Sequence, residues 1–111
     1  IAEITQTVMI PVIGSGGVRS GPDVAKTLAL GASLASVSQP ILEAAVEGAK
    51  ETENVLSLLI EELRNVMFLV GAENVQRLAR VPVVITGKTA KWLKERGFDI
   101  TEQASFKIAI A

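Results

Sequence analysis

Neither cysteine nor histidine occurs among the 111 residues. Without thiols there is no disulfide and no thiolate nucleophile; without imidazole the commonest metal ligand and general base are missing. Chemistry carried by this chain therefore rests on carboxylates, lysines, a cofactor, or residues elsewhere. A charge excess is lacking too: 11 basic and 12 acidic residues are scattered along the chain and sum to -1. That leaves no electrostatic footprint for nucleic acid or an anionic membrane, and neither is expected as a partner. Ile1–Thr7 has neither the basic start nor the apolar core of a signal peptide. Val55–Val70 is interrupted by Glu61, Glu62 and Arg64 and falls short of the ~20 apolar residues that cross a bilayer, so it predicts a buried helix.

What is abundant is apolar side chain. Hydrophobic residues make up 49% and charged ones 21%, with a mean hydropathy of +0.41, which is rich for a small domain that must cover itself with polar surface. The chain also starts at Ile1 rather than Met. Both features lead to the expectation of a piece of a longer protein, with part of its apolar surface meant for partners.

Val8–Ile13 (VMIPVI) is apolar on both alternations and closes on Gly14-Ser15-Gly16-Gly17. This predicts a strand covered on both faces, as parallel strands are, beginning properly at Pro11. Ser20-Gly21-Pro22-Asp23 predicts a helix start: Ser20 or Gly21 caps, proline suits the first turn, and Asp23 complements the dipole. Val24, Ala25, Leu28 and Ala29 form its apolar face and Gly31 its stop. Leu34–Val37 reads as a second strand, and strand, helix, strand at this spacing is the minimal βαβ unit, with parallel strands and a right-handed crossover.

Pro40 opens a short helix over Ile41–Val46 that Gly48 breaks. A long helix is predicted from Glu53 to Val70, with Val55, Leu59, Leu63, Val66 and Val70 on one face and Ser57, Glu61, Arg64 and Asn65 opposite. Ala72–Arg80 reads as a short amphipathic helix, Val81–Ile85 as extended chain and Lys88–Arg96 as a terminal helix. From Phe98 the pattern weakens into strand or tail.

Glycines at the carboxyl end of a parallel strand permit positive φ and remove the Cβ atoms that keep a ligand from backbone N–H groups. Such amides, with a helix N-terminus behind them, make an anion site, and Arg19 adds a group able to grip phosphate bidentately. The second strand ends in Ser36-Val37-Ser38-Gln39-Pro40 and runs at once into a short helix. Two consecutive loops of this kind, with a short extra helix, are how phosphate is held in (β/α)8 barrels. A tight turn without ligand is the alternative reading of Gly14–Gly21. Neither the dinucleotide fingerprint nor a Walker loop fits: Gly87-Lys88-Thr89 reads GKT, but Pro82 stands where the upstream glycine belongs. Adjacent Glu61 and Glu62 point about 100° apart on a helix and read as a solvated face. Trp92 reads as a core or interface anchor rather than a ligand platform, and Lys88 as an exposed cap.

"GSGGVRSGPDVAKTLALGAS", followed by "EELRNVMFLVGA" and "VPVVITGKT", resembles the carboxyl-terminal portion of the type 2, flavin-dependent isopentenyl diphosphate isomerases over Pro11–Gly97. The resemblance implies an α/β fold, the last two βα units of a (β/α)8 TIM barrel plus carboxyl-terminal helices. Residues 8–50 would form a phosphate-binding βαβα segment, 51–97 a helical segment and 98–111 a tail. It implies FMN as cofactor, its phosphate held by Gly17, Val18 and Arg19 in the first loop and by Ser38 and Gln39 in the second. The family usually has small residues at that second pair and glycine at Ser36. Magnesium, NADPH and a diphosphate substrate are implied for the whole enzyme, with catalytic and metal sites upstream of this chain. The resemblance further implies the remainder of the barrel as partner, homo-oligomers and a cytoplasmic location. Another FMN-barrel oxidoreductase, or a non-catalytic structural piece, are the alternatives.

Overall fold

The computed structural model describes residues 1–100; the strand or tail expected over the end of the chain lies, from residue 101, outside them. In order, the elements are α1 (Ala2–Thr7), β1 (Ile13–Gly14), α2 (Gly21–Ala29), β2 (Leu34–Ala35), α3 (Gln39–Glu47), α4 (Ala49–Leu69), α5 (Val75–Leu78) and α6 (Gly87–Glu95). The strands pair in parallel, Ile13 opposite Leu34 and Gly14 opposite Ala35, with α2 as the crossover. Flanking bonds from Ser33 N to Val12 O and from Ser36 N to Gly14 O, both 2.8 Å, extend the ladder a little.

Strand length is a correction. The run from Val8 is not strand before Ile13, and Met9 and Ile10 lie fully or largely exposed. Pro11 has no N–H to give a ladder. The sheet is also covered on one face only: Gly14 is buried next to Thr27 and Ala32, while Ile13 and Leu34 are exposed. Val81–Ile85 pairs with no strand among the described residues.

α2 follows its local signals. Ser20 is the N-cap, Pro22 sits in the first turn, and Gly31 takes φ +97 just past the helix end. Its outer face carries Ala25 and Leu28, which join Ala72 and Leu78 in the core; Val24, Leu63, Val66, Met67 and Val81 pack around them. The layers thus run from the two-stranded sheet through α2 to α4 and α5. Along α4 the predicted stripe turns inward only partly. Leu59 is buried and Val55, Leu63 and Val66 are half-buried, whereas Leu58, Ile60, Phe68 and Leu69 are exposed. The expected buried helix is therefore half-buried, because α2 and α3 cover one side of it. Among the described residues no helix is long and apolar enough to cross a membrane.

α1 has no strong start or stop signal in its sequence and is held by tertiary contacts. The Glu3 carboxylate accepts from Trp92 Nε1 at 3.2 Å and from Arg96 Nε at 2.7 Å, and Arg96 lies over the Trp92 ring. Trp92 is therefore a surface clamp between α1 and α6 rather than a core residue, with more than half of its area exposed. The Trp92 hydrogen bond first, and then the Arg96 guanidinium, hold the Glu3 carboxyl below its ordinary 4.5. A lowered native pKa adds stability that is complete above 4.5 and is lost as pH falls through the native value. Trp92 is the single tryptophan, so its fluorescence should change as acid passes that range, and the change should be missing in Glu3→Gln. An identical transition in Glu3→Gln assigns the titration to another group.

Candidate anion-binding site

The two predicted loops leave the paired strand ends side by side. Gly16 and Gly17 take φ +84 and +94, the left-handed region that glycine enters without cost. A Cβ built on either meets nothing within 4 Å. The main-chain N–H groups of Gly16, Gly17 and Val18 donate to no acceptor among the described residues. Val18 itself is buried and anchors the loop. In the second loop, Ser38 is exposed and precedes α3, which begins at Gln39 without a side-chain cap or an acidic residue in its first turn.

Arg19 ties the loops together. Its Nη2 donates to Gln39 Oε1 at 3.1 Å, and Gln39 Nε2 in turn donates to Glu43 Oε1 at 2.9 Å. The Glu43 carboxylate thus fixes which end of the Gln39 amide meets the guanidinium. Arg19 is exposed and pairs with no carboxylate among the described residues, so the fork keeps donors to spend on an anion. Its main-chain N–H is already used, donating to Asp23 Oδ2 at 3.2 Å. At Arg19 the side chain, not the amide, is therefore the part left with open donors among the described residues.

The helix end behind the glycines is where the structure revises expectation. Gly21 N donates to Glu62 Oε2 at 2.7 Å, Pro22 has no N–H, Asp23 N donates to Ser20 Oγ, and Val24 N donates to Ser20 O. Every N–H of the first turn of α2 is spent, and two carboxylates stand at its positive pole. Asp23 is held below its ordinary 3.8, chiefly by the Ser20 hydroxyl and then by the Arg19 amide, so it stays ionised. Among the described residues the open donors belong instead to the glycine loop and to α3, where Gln39 and Ile41 keep free amides and Leu42 N bonds back to Ser38 O. The open amides of Gly16–Val18 and of the start of α3 thus lie on the two loops that the Arg19–Gln39 bond joins. The groove between α3 and α4, by contrast, carries Glu43, Glu47 and Glu51 and repels one.

Gly17, Val18, Arg19, Ser38 and Gln39 thus fall on two adjacent loops, and the described contact that joins them is Arg19–Gln39. Sequence reasoning missed Glu62, read as part of a solvated pair, and Glu43. Glu61 fits that reading, but Glu62 is half-buried and turned onto Gly21. Its pairing spans 41 positions, which no local pattern signals. Lys88 is exposed, as read. Among the described residues no group of carboxylates is arranged to hold a metal ion.

The family model for FMN-dependent dehydrogenases matches residues 1–84. The isopentenyl-diphosphate delta-isomerase of Methanothermobacter thermautotrophicus is 46% identical over 102 residues, covering 92% of this chain and 29% of the relative. That of Thermococcus kodakarensis is 48% identical over 99 residues, 86% of this chain and 26% of the relative. Among solved structures, a mandelate oxidase mutant with the monooxide FMN adduct is similar at a TM-score of 0.68 and 41% identity, over 72% of this chain and 26% of that one. The chain thus spans less than a third of the length of each of these proteins.

Proposed function

The chain belongs to the FMN-dependent dehydrogenase family, whose fold is a TIM barrel, and from that premise we propose that it forms the FMN-phosphate-binding end of an isopentenyl diphosphate delta-isomerase. In this reading β1 and β2 are the last two barrel strands. Residues 8–50 make the phosphate-binding segment, 51–97 the helical shell and 98–111 a tail. The exposed apolar face of Ile13 and Leu34 then meets the rest of the barrel.

The residues present suit a phosphate dianion. Gly16, Gly17 and Val18 offer amides with no Cβ in the way at the glycines, Gln39 and the start of α3 offer more, and Arg19 supplies charge. Ser38 contributes through its main chain at the helix start. FMN, when bound, would supply the acid–base chemistry of the flavin ring. This chain's own residues bind, neutralise and orient its phosphate tail. Magnesium, NADPH and the diphosphate substrate would be held by residues outside this chain, in a cytoplasmic homo-oligomer.

The observation that carries the reading is the extent of the isomerase match. A match of 102 residues in a chain of 111 must include 61–89, where the motifs most specific to the isomerases lie. The likeness to mandelate oxidase favours a second reading, an FMN-barrel oxidoreductase. The two differ in redox balance. With reduced FMN, the whole barrel protein is expected to convert isopentenyl diphosphate to dimethylallyl diphosphate with no net oxidation of substrate. Oxygen-dependent turnover of a 2-hydroxy acid, with no double-bond shift, decides for the oxidoreductase instead.

A further inference from the structure

We infer that Glu62 is a positioning residue for the anion loop, acting through the Gly21 amide rather than by touching the ligand. The inference rests on the phosphate-site reading and deepens it. Gly21 N–H donates to Glu62 Oε2 at 2.7 Å, in a part-buried bond between helices far apart in sequence. Glu62 lies in α4, outside both loops. The loop from Gly16 to Ser20 is pinned at Val18, which is buried, and at its exit, where Ser20 Oγ bonds Asp23 and Asp23 receives the Arg19 amide. Glu62 fixes the residue directly after that exit.

Two consequences follow from the chemistry. First, a loop with positive φ at Gly16 and Gly17 has wide backbone freedom, and holding its exit lowers the ordering cost when an anion arrives. Second, the carboxylate consumes the donor at the positive pole of α2 and adds negative charge there. An incoming phosphate is thereby directed toward the glycine amides and α3. Removing the acceptor loosens the loop and weakens phosphate binding; removing only the charge relieves a repulsion and does not.

The test uses the apo form of the whole barrel protein, titrated with FMN and, separately, with riboflavin, which has the same ring system and no phosphate. In the parent sequence FMN should bind more tightly than riboflavin. Glu62→Ala should lower that FMN-over-riboflavin preference about tenfold, the scale of one hydrogen bond to a charged group, with riboflavin affinity unchanged. Glu62→Gln keeps an acceptor without the charge and should hold the preference or raise it. Glu62→Asp keeps the charge but draws the acceptor back by a methylene; it should behave like Ala, and it stands in if Ala does not fold. Glu61→Ala, on the exposed neighbour, should change nothing.

Equal losses for FMN and riboflavin in Glu62→Ala overturn the inference, since they mark a residue that only holds α4 against α2. So does a Gln variant as poor as Ala, or an Asp variant as good as the parent. If the unmodified protein shows no preference for FMN over riboflavin, the phosphate site itself is wrong, a failure separate from these.

Discussion

Replacing Gly21 by alanine should cost about 3 kcal/mol of folding stability, at the upper end for an added methyl in a packed interface. Gly21 is where α2 meets α4. A Cβ there would fall on the main-chain nitrogen of Leu63 and on the Cβ and carbonyl carbon of Glu62, closer than such atoms approach. Those atoms belong to the middle of a 21-residue helix and cannot swing aside as a side-chain tip does. The helices must separate instead, which opens the packing of Leu28 and Ala25 against Leu63 and Val66 and draws Glu62 from the Gly21 amide. The melting temperature should fall on the order of 10 °C, followed by helical circular dichroism. Gly16→Ala supplies the contrast: its φ of +84 strains a side chain, but nothing lies within 4 Å of the added atom, so the loss should stay near ~1 kcal/mol. Equal stability of Gly21→Ala and the parent contradicts the close α2–α4 contact.

The same residue shows which parts of this fold are legible in one sequence. Ser20-Gly21-Pro22-Asp23 announces a helix start because capping is local: hydroxyl, proline and carboxylate act within a single turn. The stops at Gly31 and Gly71 are equally local, and both residues take positive φ. What the motif does not announce is the partner of Gly21, since a carboxylate 41 positions away is chosen by how two helices cross. α1 was hidden for a related reason. Six residues make too few helical bonds to hold by themselves, and α1 depends on Glu3 meeting Trp92 and Arg96 and on Thr5 Oγ1 reaching Leu30 O. The covered run expected over Val8–Ile13, with its strand from Pro11, errs the other way. Apolar alternation reports that a segment belongs against something, not that it pairs, and among the described residues Met9 and Ile10 stay fully or largely exposed. In the first loop, the left-handed backbone at Gly16 and Gly17 was readable from glycine spacing, whereas the spent amides of α2 were not. Only a full account of its first-turn amides shows that the helix has none to offer.

Arg19→Ala should lower FMN affinity about 10- to 100-fold, the range for losing a charged hydrogen-bonding partner of an anion, while leaving riboflavin binding and the fold nearly unchanged. Its side chain is exposed and its described polar contact is with Gln39, so truncation removes charge without emptying the core. The carboxylates of Asp23 and Glu62 remain near the loop, and without the guanidinium a dianion meets them with amides alone. Arg19→Lys separates charge from shape. A lysine restores the positive charge but not the planar fork that serves Gln39 and phosphate together, so affinity should return only in part and its salt dependence should resemble that of the parent. Gln39→Ala should have a smaller effect, because it frees Nη2 for the ligand while losing the clamp that aims it. The ordering expected from equilibrium titrations is therefore Arg19→Ala weakest, Arg19→Lys intermediate and Gln39→Ala nearest the parent. If Arg19→Ala leaves the FMN-over-riboflavin preference intact, the phosphate is bound elsewhere and the Arg19–Gln39 bond only fastens two loops.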